Sequence, residues 1–283
     1  MKILVLGANG MLGHVVTRHF LDIGYEVLET SRDKGDINYF DVSKDISAIQ
    51  KVLKRIKPKV VINCIGILNK NAEENHDLAV MVNSYLPHYL DKISDEFDFK
   101  LIHISTDCVF DGKKGEYCEN SQKDSTSFYG QSKALGEVKN DKNLTLRTSI
   151  IGPDTNPNGI GLFQWFMNQE TQTNGFNKVI WTGVTTIELA KCIDKAIKNN
   201  LVGLKHVVNG DTIDKLSLLK LIKKHFKKDI KIIPKSDYVV NKSLKKSDEF
   251  DFDIPTYDQM IKDMAEWVGR RKSLYSKNQG GAK

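Results

Sequence analysis

The sequence contains no uninterrupted apolar stretch of the roughly 18 residues that a membrane-spanning helix needs, so we expect no membrane span. It also lacks the long apolar core of a secretory signal peptide at its start, because glycines interrupt the opening MKILVLGANG early. Both absences argue against a membrane or secreted protein. They favour a protein of the cytoplasm.

Metal-binding and redox motifs are also missing. The seven histidines form no H-E-x-x-H motif. The chain has four cysteines, Cys64, Cys108, Cys118 and Cys192. They form no C-x-x-C pair and do not have the spacing of metal ligands. We therefore expect free thiols in a reducing compartment and no catalytic metal.

The net charge of the chain is small, which limits the class of partner that it can bind by charge alone. The 283-residue chain has a net charge of +6, and its basic residues become dense only in residues 220–235 and near the end. That stretch lacks the aromatic or Gly-Arg interleaving of a nucleic-acid-binding surface, so a solvent-exposed helix face is the simpler interpretation. We expect no nucleic-acid partner, although a mildly basic protein suits anionic small substrates.

What the sequence does contain is a regular alternation of apolar strands with amphipathic helices. Near-continuous apolar strands separated by helices predict a parallel sheet that is covered on both faces. The right-handed crossover rule then indicates an α/β fold with a doubly wound, Rossmann-type sheet. The predicted strands are 2–6, 25–30, 59–66, 99–106 and 143–149, and the predicted helices are 11–24, 45–57, 76–97 with a kink at Pro87, and 128–140.

The alternation loosens after residue 150, where residues 152–159 are rich in glycine, proline and asparagine and predict a boundary. We expect a dinucleotide-binding domain over residues 1–150 and about 176–210. A smaller mixed α/β substrate-binding domain is expected over about 151–175 and 211–270. Beyond the boundary the predicted helices are 160–170, 185–199, 215–227 and 256–269, the predicted strands are 204–208 and 230–233, and residues 271–283 are expected to be a disordered tail.

The first strand runs directly into LGANGMLGH, whose glycines Gly7, Gly10 and Gly13 are spaced by three. A strand, a glycine turn and a helix form the context of a dinucleotide-binding fingerprint, although a purely structural turn is the alternative. In that fingerprint Gly7 permits the tight turn, Gly10 the approach of a pyrophosphate, and Gly13 close packing of helix on strand. Backbone N–H groups at the helix start would bind the phosphates, and the other predicted contacts there are Asn9, Met11 and Leu12.

The end of the second strand indicates which cofactor binds. An Asp or Glu at this place prefers an unmodified ribose, whereas an arginine accepts a 2′-phosphate. The chain has Ser31 and Arg32 just beyond the strand, which favours NADPH, with NADH as the alternative because Glu29 could face a ribose hydroxyl. A plain surface arginine is the competing interpretation of Arg32. Asp41 and Val42 are predicted to lie beside the adenine.

A second motif, YGQSK, places Tyr129 and Lys133 four residues apart, so that both side chains share one helix face. The pKa of a tyrosine is ordinarily near 10, and a nearby ammonium stabilises the phenolate and lowers that pKa. Such pairs occur on many surface helices and mean little alone. Here a strand that ends in Ser105 and Thr106 precedes the pair, and a hydroxyl at that end lies at the ligand edge of the sheet.

These motifs occur in an order that resembles the extended short-chain dehydrogenase/reductase family. Within that family the chain is most similar to the group of dTDP-4-dehydrorhamnose reductases and related nucleotide-sugar reductases. The resemblance covers about residues 1–210 and implies further cofactor contacts at Cys64, Ile65, Gly66 and Asn83. The stretches that carry it, besides the glycine turn and the Tyr129/Lys133 pair, are NCIG (63–66), MVNS (81–84), STDCVFDG (105–112), RTSIIG (147–152) and TGVTTIELA (182–190).

The resemblance implies reduction of a nucleotide-linked keto-sugar, of the dTDP- or UDP-4-keto-6-deoxyhexose type, in the synthesis of cell-surface polysaccharide precursors. NADPH would deliver hydride to the ketone carbon while Thr106 hydrogen-bonds the carbonyl oxygen and Tyr129 donates the proton. Lys133 would lower the tyrosine pKa and orient the nicotinamide ribose. The diphosphate-sugar is expected between residues 150–170 and the Thr106/Tyr129 edge, with substrate contacts from Thr106, Asp107, Cys108, Ile150 and Trp165.

Two of these substrate positions depart from the pattern of the group, which has tyrosine at position 108 and tryptophan at position 150. This chain has Cys108 and Ile150 there. The loss of two aromatic walls indicates a different keto-sugar, such as an N-acetylated or 6-deoxy one, although Cys108 can also be read as a small buried residue.

Two other functions stay open at this point. Some members of this fold branch are non-catalytic NADP-binding regulatory subunits of other enzymes, and the presence of Thr106, Tyr129 and Lys133 argues against that role. Nucleotide-sugar epimerases of the same family hold NAD tightly. A homodimer is also compatible with the resemblance.

Overall fold

A six-stranded parallel sheet forms the centre of the computed structural model, which describes residues 1–275. The strands are β1 (Lys2–Leu6), β2 (Glu26–Glu29), β3 (Val60–Asn63), β4 (Lys100–Thr106), β5 (Leu144–Thr148), β6 (Ile150–Ile151), β7 (Gln172–Phe176), β8 (Val179–Trp181), β9 (Val184–Thr185), β10 (Gly203–His206), β11 (Ile213–Asp214), β12 (Lys231–Lys235) and β13 (Val240–Asn241). The central sheet has the order β10-β5-β4-β3-β1-β2. The strand order reverses between β1 and β3, which is where a doubly wound sheet binds its ligand.

Helices connect these strands and cover both faces of the sheet. They are α1 (Gly13–Asp22), α2 (Ile49–Ile56), α3 (Asn69–Glu74), α4 (His76–Ala79), α5 (Leu86–Ile93), α6 (Phe128–Leu135), α7 (Leu162–Met167), α8 (Thr186–Lys198), α9 (Lys215–His225), α10 (Tyr257–Arg270) and α11 (Lys272–Tyr275). Short 3₁₀ turns precede α2 at Ile46–Ala48 and follow β4 at Asp107–Val109.

Alternate residues of β1 enter two different apolar cores. Ile3 and Val5 belong to a core that includes residues of α1 and α8, whereas Leu4 and Leu6 belong to one that includes residues of α2 and α5. Successive side chains of a strand point to opposite faces of the sheet, so both faces are buried. The predicted doubly wound α/β fold is confirmed.

The second part of the chain builds small sheets beside the central one. Strand β7 pairs with β12, and β8 pairs with β11 and β13. The division into two domains stays a prediction, although β8, assigned above to the dinucleotide-binding part, pairs with strands of the second part. The predicted helices here lie within a few residues of α7 to α10, while the short strands β6 to β9, β11 and β13 were not predicted.

Two predicted helices differ from the structure. The helix predicted over 76–97 consists of α4, a wider π turn at Val80–Tyr85, and α5, and it ends at Ile93. Pro87 lies in the first turn of α5, where its missing N–H disturbs the hydrogen bonding least. The helix predicted over 128–140 ends at Leu135, because the chain turns at Gly136 and sends Glu137 inward to the sheet.

The tail prediction is wrong for residues 272–275, which form α11. Tyr275 is 9% exposed, and its hydroxyl hydrogen-bonds the His14 ring at 2.9 Å and the Trp267 indole N–H at 3.2 Å. These contacts hold the last described turn against α1 and α10. Residues 276–283 of the predicted tail lie outside the described residues.

Candidate active site

A cleft of about 360 Å³ opens at the carboxyl ends of the central strands. It is formed by the glycine turn after β1, the loop after β3, the end of β4, one face of α6 and the chain after β5. Segments far apart in the sequence therefore meet here. The lining residues from the predicted site are Gly10, Met11, Leu12, Cys64, Ile65, Gly66, Thr106, Asp107, Cys108, Tyr129, Lys133 and Ile150.

The glycine turn has the geometry that a dinucleotide fingerprint requires. Gly7 has a φ of +77°, which side chains rarely allow. A Cβ atom at Gly13 would lie 2.1 Å from the Gly7 carbonyl oxygen, so only glycine lets α1 start this close to the strand. Asn9 is exposed beside this turn.

The turn also presents free backbone donors to the cleft. Within residues 1–275, no hydrogen bond from the backbone N–H of Met11 or Leu12 is found, and both residues line the cleft. Unpaired N–H groups at the start of a ten-residue helix bind anions, because the helix dipole also favours negative charge there. The residues present therefore fit a pyrophosphate group of the predicted cofactor.

The residues predicted around the adenine ribose lie past β2, outside the cleft lining. Arg32 is exposed, and its charge acts on the Asp41 carboxyl. A hydrogen bond from the Ser43 hydroxyl is the main cause that lowers the pKa of Asp41, and Arg32 contributes less. Ser31 is half-buried and its hydroxyl accepts the Asp33 N–H, whereas Val42 is buried in the core. Their contact with a cofactor stays a prediction.

Asn83 holds the loop after β3 rather than lining the cleft. Its side-chain oxygen accepts the Ile67 N–H and its amide donates to the Ile67 carbonyl oxygen, both at 2.9 Å, and it donates to the Ser132 hydroxyl at 3.1 Å. Asn83 is fully buried within the π turn. It therefore connects the loop of Cys64, Ile65 and Gly66 to α6.

Tyr129 lies against the end of β4 because α6 packs unusually close. A Cβ atom at Gly130 would lie 2.1 Å from the Cys108 carbonyl oxygen, so glycine is needed at this contact. The first turn of α6 is capped by the Ser127 hydroxyl and by Glu73, whose carboxylate accepts the Tyr129 N–H at 3.0 Å. These bonds fix the backbone that carries the phenol.

The Tyr129 phenol is hydrogen-bonded to the Thr106 side chain. Burial raises the pKa of Tyr129 well above its ordinary value, so the phenol carries its proton at neutral pH. The Thr106 hydroxyl also donates to the Asp107 carboxylate at 3.2 Å and accepts the Cys108 N–H at 3.1 Å. A protonated phenol beside a hydroxyl is suited to giving a proton to a carbonyl oxygen.

Lys133 points at the sheet in this structure. Its ammonium donates to the Ile104 carbonyl oxygen at 2.7 Å and lies 3.4 Å from His103 Nε2. Burial lowers the pKa of Lys133 to about 8, and the Glu137 carboxylate opposes that shift. Burial is the main cause that sets the Tyr129 pKa in this structure, and it raises that pKa, so the expected lowering by Lys133 stays a prediction. The role of Lys133 at the nicotinamide ribose stays a prediction.

A fully buried histidine beneath Lys133 was not singled out from the sequence. His103 Nδ1 lies 3.2 Å from the Asn63 amide nitrogen, and the Asn63 oxygen accepts the Ile65 N–H at 3.1 Å. Burial lowers the pKa of His103 well below its ordinary value, so the ring is neutral at pH 7. This network joins the loop after β3 to Lys133. Only the alternation of buried side chains along β3 and β4 could have hinted at it.

The arginine of the RTSIIG motif is structural. Arg147 is 1% exposed and donates to both carboxylate oxygens of Glu137 at 2.7 Å, while Glu137 also accepts the Ser105 hydroxyl at 2.7 Å. Burial alone would raise the pKa of Glu137, but its bonds to Arg147 and the charge of Arg147 lower it overall. The pair fixes the chain between α6 and β5 against the end of β4.

Four of the five predicted substrate residues line the cleft, namely Thr106, Asp107, Cys108 and Ile150. Trp165 is 41% exposed on α7 and is not part of the cleft lining, to which Leu162 of the same helix does belong, so its contact with the substrate stays a prediction. Sequence reasoning missed Lys215, which enters the cleft from the second part of the chain. It is one of many lysines in the chain, and no motif around it distinguishes it from the others.

Neither a metal-ligand cluster nor a membrane-spanning helix occurs in the described part of the chain. Among residues 1–275, no group of three or more His, Cys, Asp or Glu side chains is arranged to hold a metal ion. No described helix has the length and apolar character to cross a membrane.

Three relatives of this chain match different shares of its length. The spore coat polysaccharide biosynthesis protein SpsK of Bacillus subtilis is 26% identical over 215 residues, which is 74% of each chain. A dTDP-4-dehydrorhamnose reductase of Aggregatibacter actinomycetemcomitans is 34% identical over 52% of this chain and 51% of its own. The methionine adenosyltransferase 2 subunit beta of Danio rerio is 30% identical over 48% of this chain and 42% of its own. The chain thus spans about half the length of the latter two.

Solved structures agree with the fold. A dTDP-4-dehydrorhamnose reductase of Clostridium acetobutylicum has a TM-score of 0.81 at 24% identity, covering 95% of this chain and all of its own. The reductase of the same name from Bacillus anthracis, solved in complex with NADP, has a TM-score of 0.81 at 22% identity, covering 94% and 99%.

The RmlD substrate binding domain matches residues 1–266, almost the whole described chain. This match and the reductases among the relatives support the prediction of an NAD(P)-dependent oxidoreductase. They also confirm the resemblance noted from the motifs. The chain belongs to the RmlD substrate binding domain family.

Proposed function

We propose that this protein is a reductase that uses NADPH to reduce the carbonyl group of a nucleotide-linked keto-sugar, of the dTDP- or UDP-4-keto-6-deoxyhexose type. The observation that carries the proposal is the protonated Tyr129 phenol, hydrogen-bonded to Thr106, in the same cleft as the glycine turn. Relatives named for polysaccharide biosynthesis and for dTDP-4-dehydrorhamnose reduction support a role in making cell-surface polysaccharide precursors.

The chemistry needs one hydride and one proton. When bound, NADPH would supply the hydride, and the protein would have to stabilise and protonate the carbonyl oxygen. Thr106 would hydrogen-bond that oxygen, while Tyr129 would transfer its phenolic proton to it. Lys133 lies on the same helix face and would bind the ribose hydroxyls once its ammonium leaves the Ile104 carbonyl. Met11 and Leu12 would hold the pyrophosphate by their backbone N–H groups.

Turnover tests the proposal directly. The purified protein is incubated with NADPH and with dTDP- or UDP-linked 4-keto-6-deoxyhexoses, and the loss of NADPH absorbance is followed. We expect oxidation of NADPH in step with a sugar product that is two hydrogens heavier by mass spectrometry. NADPH binding without turnover on any of these sugars would contradict the proposal.

Cofactor preference has its own test at Arg32. Because the exposed guanidinium can pair with a 2′-phosphate, we expect Arg32→Ala to weaken NADPH binding by about 10- to 100-fold and to leave NADH binding unchanged. Fluorescence titration of both cofactors measures the two dissociation constants. Lys34→Ala removes an equal charge from the same loop and is the matched control. Equal affinity of the wild type for NADPH and NADH would overturn the preference.

A regulatory role is the second candidate, and one relative favours it. The methionine adenosyltransferase 2 subunit beta is named as a subunit, and it is 30% identical to this chain over 138 residues. Under this alternative the protein would bind NADPH and would not oxidise it with any keto-sugar. The turnover assay therefore separates the two candidates.

A further inference from the structure

Lys215, the first residue of α9, enters the cleft beside Thr106, Asp107 and Cys108. Its ammonium nitrogen lies 4.8 Å from the centre of the Trp181 ring. Trp181 is 3% exposed, so the lysine rests on a buried aromatic face rather than extending into solvent. A cation over an indole ring is held there by the ring quadrupole.

The backbone of Lys215 is anchored on both sides. The Asp214 carboxylate caps α9 by accepting the Ser217 N–H at 2.9 Å and the Ser217 hydroxyl at 2.7 Å. Asp214 also belongs to β11, which pairs with β8, the strand that ends in Trp181. The helix start and the aromatic face are therefore parts of one small unit, which limits where the ammonium can go.

Asp107 is the carboxylate whose charge acts on Lys215, and it is 5% exposed. Burial lowers the pKa of Lys215 to about 8 and the Asp107 charge opposes that shift, so Lys215 is mostly protonated at neutral pH. Within residues 1–275, no nitrogen–oxygen distance of 4.0 Å or less joins Lys215 to a carboxylate. The two opposite charges therefore face each other in the cleft without forming a direct ion pair.

The gap between the Lys215 ammonium and the Asp107 carboxylate costs free energy unless a ligand group fills it. A partly desolvated ammonium without a direct partner is unfavourable. A lysine ammonium only donates hydrogen bonds and an ionised carboxylate only accepts them. A hydroxyl group both accepts and donates, so it satisfies both sides at once. A phosphate would be repelled by Asp107, because both groups carry negative charge.

We propose that Lys215 and Asp107 together bind one hydroxyl group of the sugar ring, next to the reacting carbonyl, with Lys215 donating and Asp107 accepting. The position follows from Asp107, which accepts the Thr106 hydroxyl, and Thr106 in turn bonds Tyr129. The inference rests on the proposed function, and it makes Lys215 a residue that determines sugar specificity.

A matched control lies close by. The charge of Lys242 also acts on the Asp107 and Cys108 side chains, but Lys242 is not part of the cleft lining. Lys215→Met and Lys242→Met therefore remove the same charge from the surroundings of Asp107. Only the first removes a donor from the cleft wall. Lys215→Gln restores a shorter donor and guards against misfolding of the methionine variant.

Calorimetry of the NADP⁺-loaded proteins with dTDP-rhamnose and with dTDP alone separates sugar binding from nucleotide binding. We expect Lys215→Met to weaken dTDP-rhamnose by about 10- to 100-fold and to leave dTDP unchanged. Lys242→Met is expected to match the wild type for both ligands. Lys215→Gln is expected to fall between Lys215→Met and the wild type for the sugar ligand.

Three outcomes would overturn the inference: equal weakening of dTDP and dTDP-rhamnose in Lys215→Met, equal effects of the Lys215 and Lys242 variants, or a wild type that binds dTDP-rhamnose no better than dTDP. Failure of the proposed function looks different. In that case the sugar ligand still depends on Lys215 for binding, while the wild type oxidises no NADPH with any keto-sugar.

Discussion

Replacing Tyr129 with phenylalanine is expected to lower kcat by about 10²- to 10⁴-fold, because it removes the group that protonates the carbonyl oxygen. The ring is 9% exposed and keeps its packing in the variant, so the cleft should keep its shape. The Kd for NADPH should stay within about twofold of the wild type by fluorescence titration, since no phosphate contact is lost. Steady-state kinetics with a keto-sugar substrate measures the change in kcat.

A second buried tyrosine provides the control. Tyr117 is 3% exposed and its hydroxyl donates to Asp111 at 3.2 Å, outside the cleft lining. Tyr117→Phe makes the same chemical change away from the predicted chemistry, and kcat should change little. If Tyr129→Phe kept a kcat near that of Tyr117→Phe, another group would have to protonate the oxygen.

Replacing Arg147 with methionine is expected to lower the free energy of unfolding by about 3–5 kcal/mol. The substitution leaves the Glu137 carboxylate, whose side chain is 2% exposed, without its bidentate partner. His206, whose Nε2 lies 2.9 Å from the guanidinium, also loses its partner. An uncompensated buried charge is among the largest single destabilising effects, and urea unfolding measures it.

Lys123→Met tests the same carboxylate from its exposed side. The Lys123 ammonium lies 3.3 Å from Glu137, and the lysine side chain is 39% exposed. Exposed ion pairs contribute about 0–1 kcal/mol, so this variant should unfold close to the wild type. A loss of no more than about 1 kcal/mol in Arg147→Met would mean that the Arg147 pair contributes no more than an ordinary surface ion pair.

The features that the sequence predicted well depend on neighbours in the chain. The alternation of apolar strands and amphipathic helices predicted the central sheet, because a buried strand and a helix face each have their own period. The spacing of Gly7, Gly10 and Gly13 predicted the turn, and the structure shows the positive φ and the close contact that require glycine. The four-residue spacing of Tyr129 and Lys133 likewise brings both to the cleft lining.

Errors arose where a distant contact decides the local structure. The helix that begins at Phe128 ends at Leu135 because Glu137 is drawn to Arg147, and nothing in the local periodicity indicates that pair. Residues 272–275 look like a polar tail, yet Tyr275 is buried against His14.

By itself, the sequence determined the parallel sheet and the glycine turn, since each follows from spacing within one segment. The roles of Thr106, Tyr129 and Lys133 came from the family resemblance and stay predictions. Only the tertiary structure decided that His103 lies beneath Lys133, and that Lys215 faces Asp107. These partners are separated by 30 and 108 positions in the chain. No local preference encodes such a meeting, because only the folded chain brings α6 against β4 and the start of α9 to the cleft.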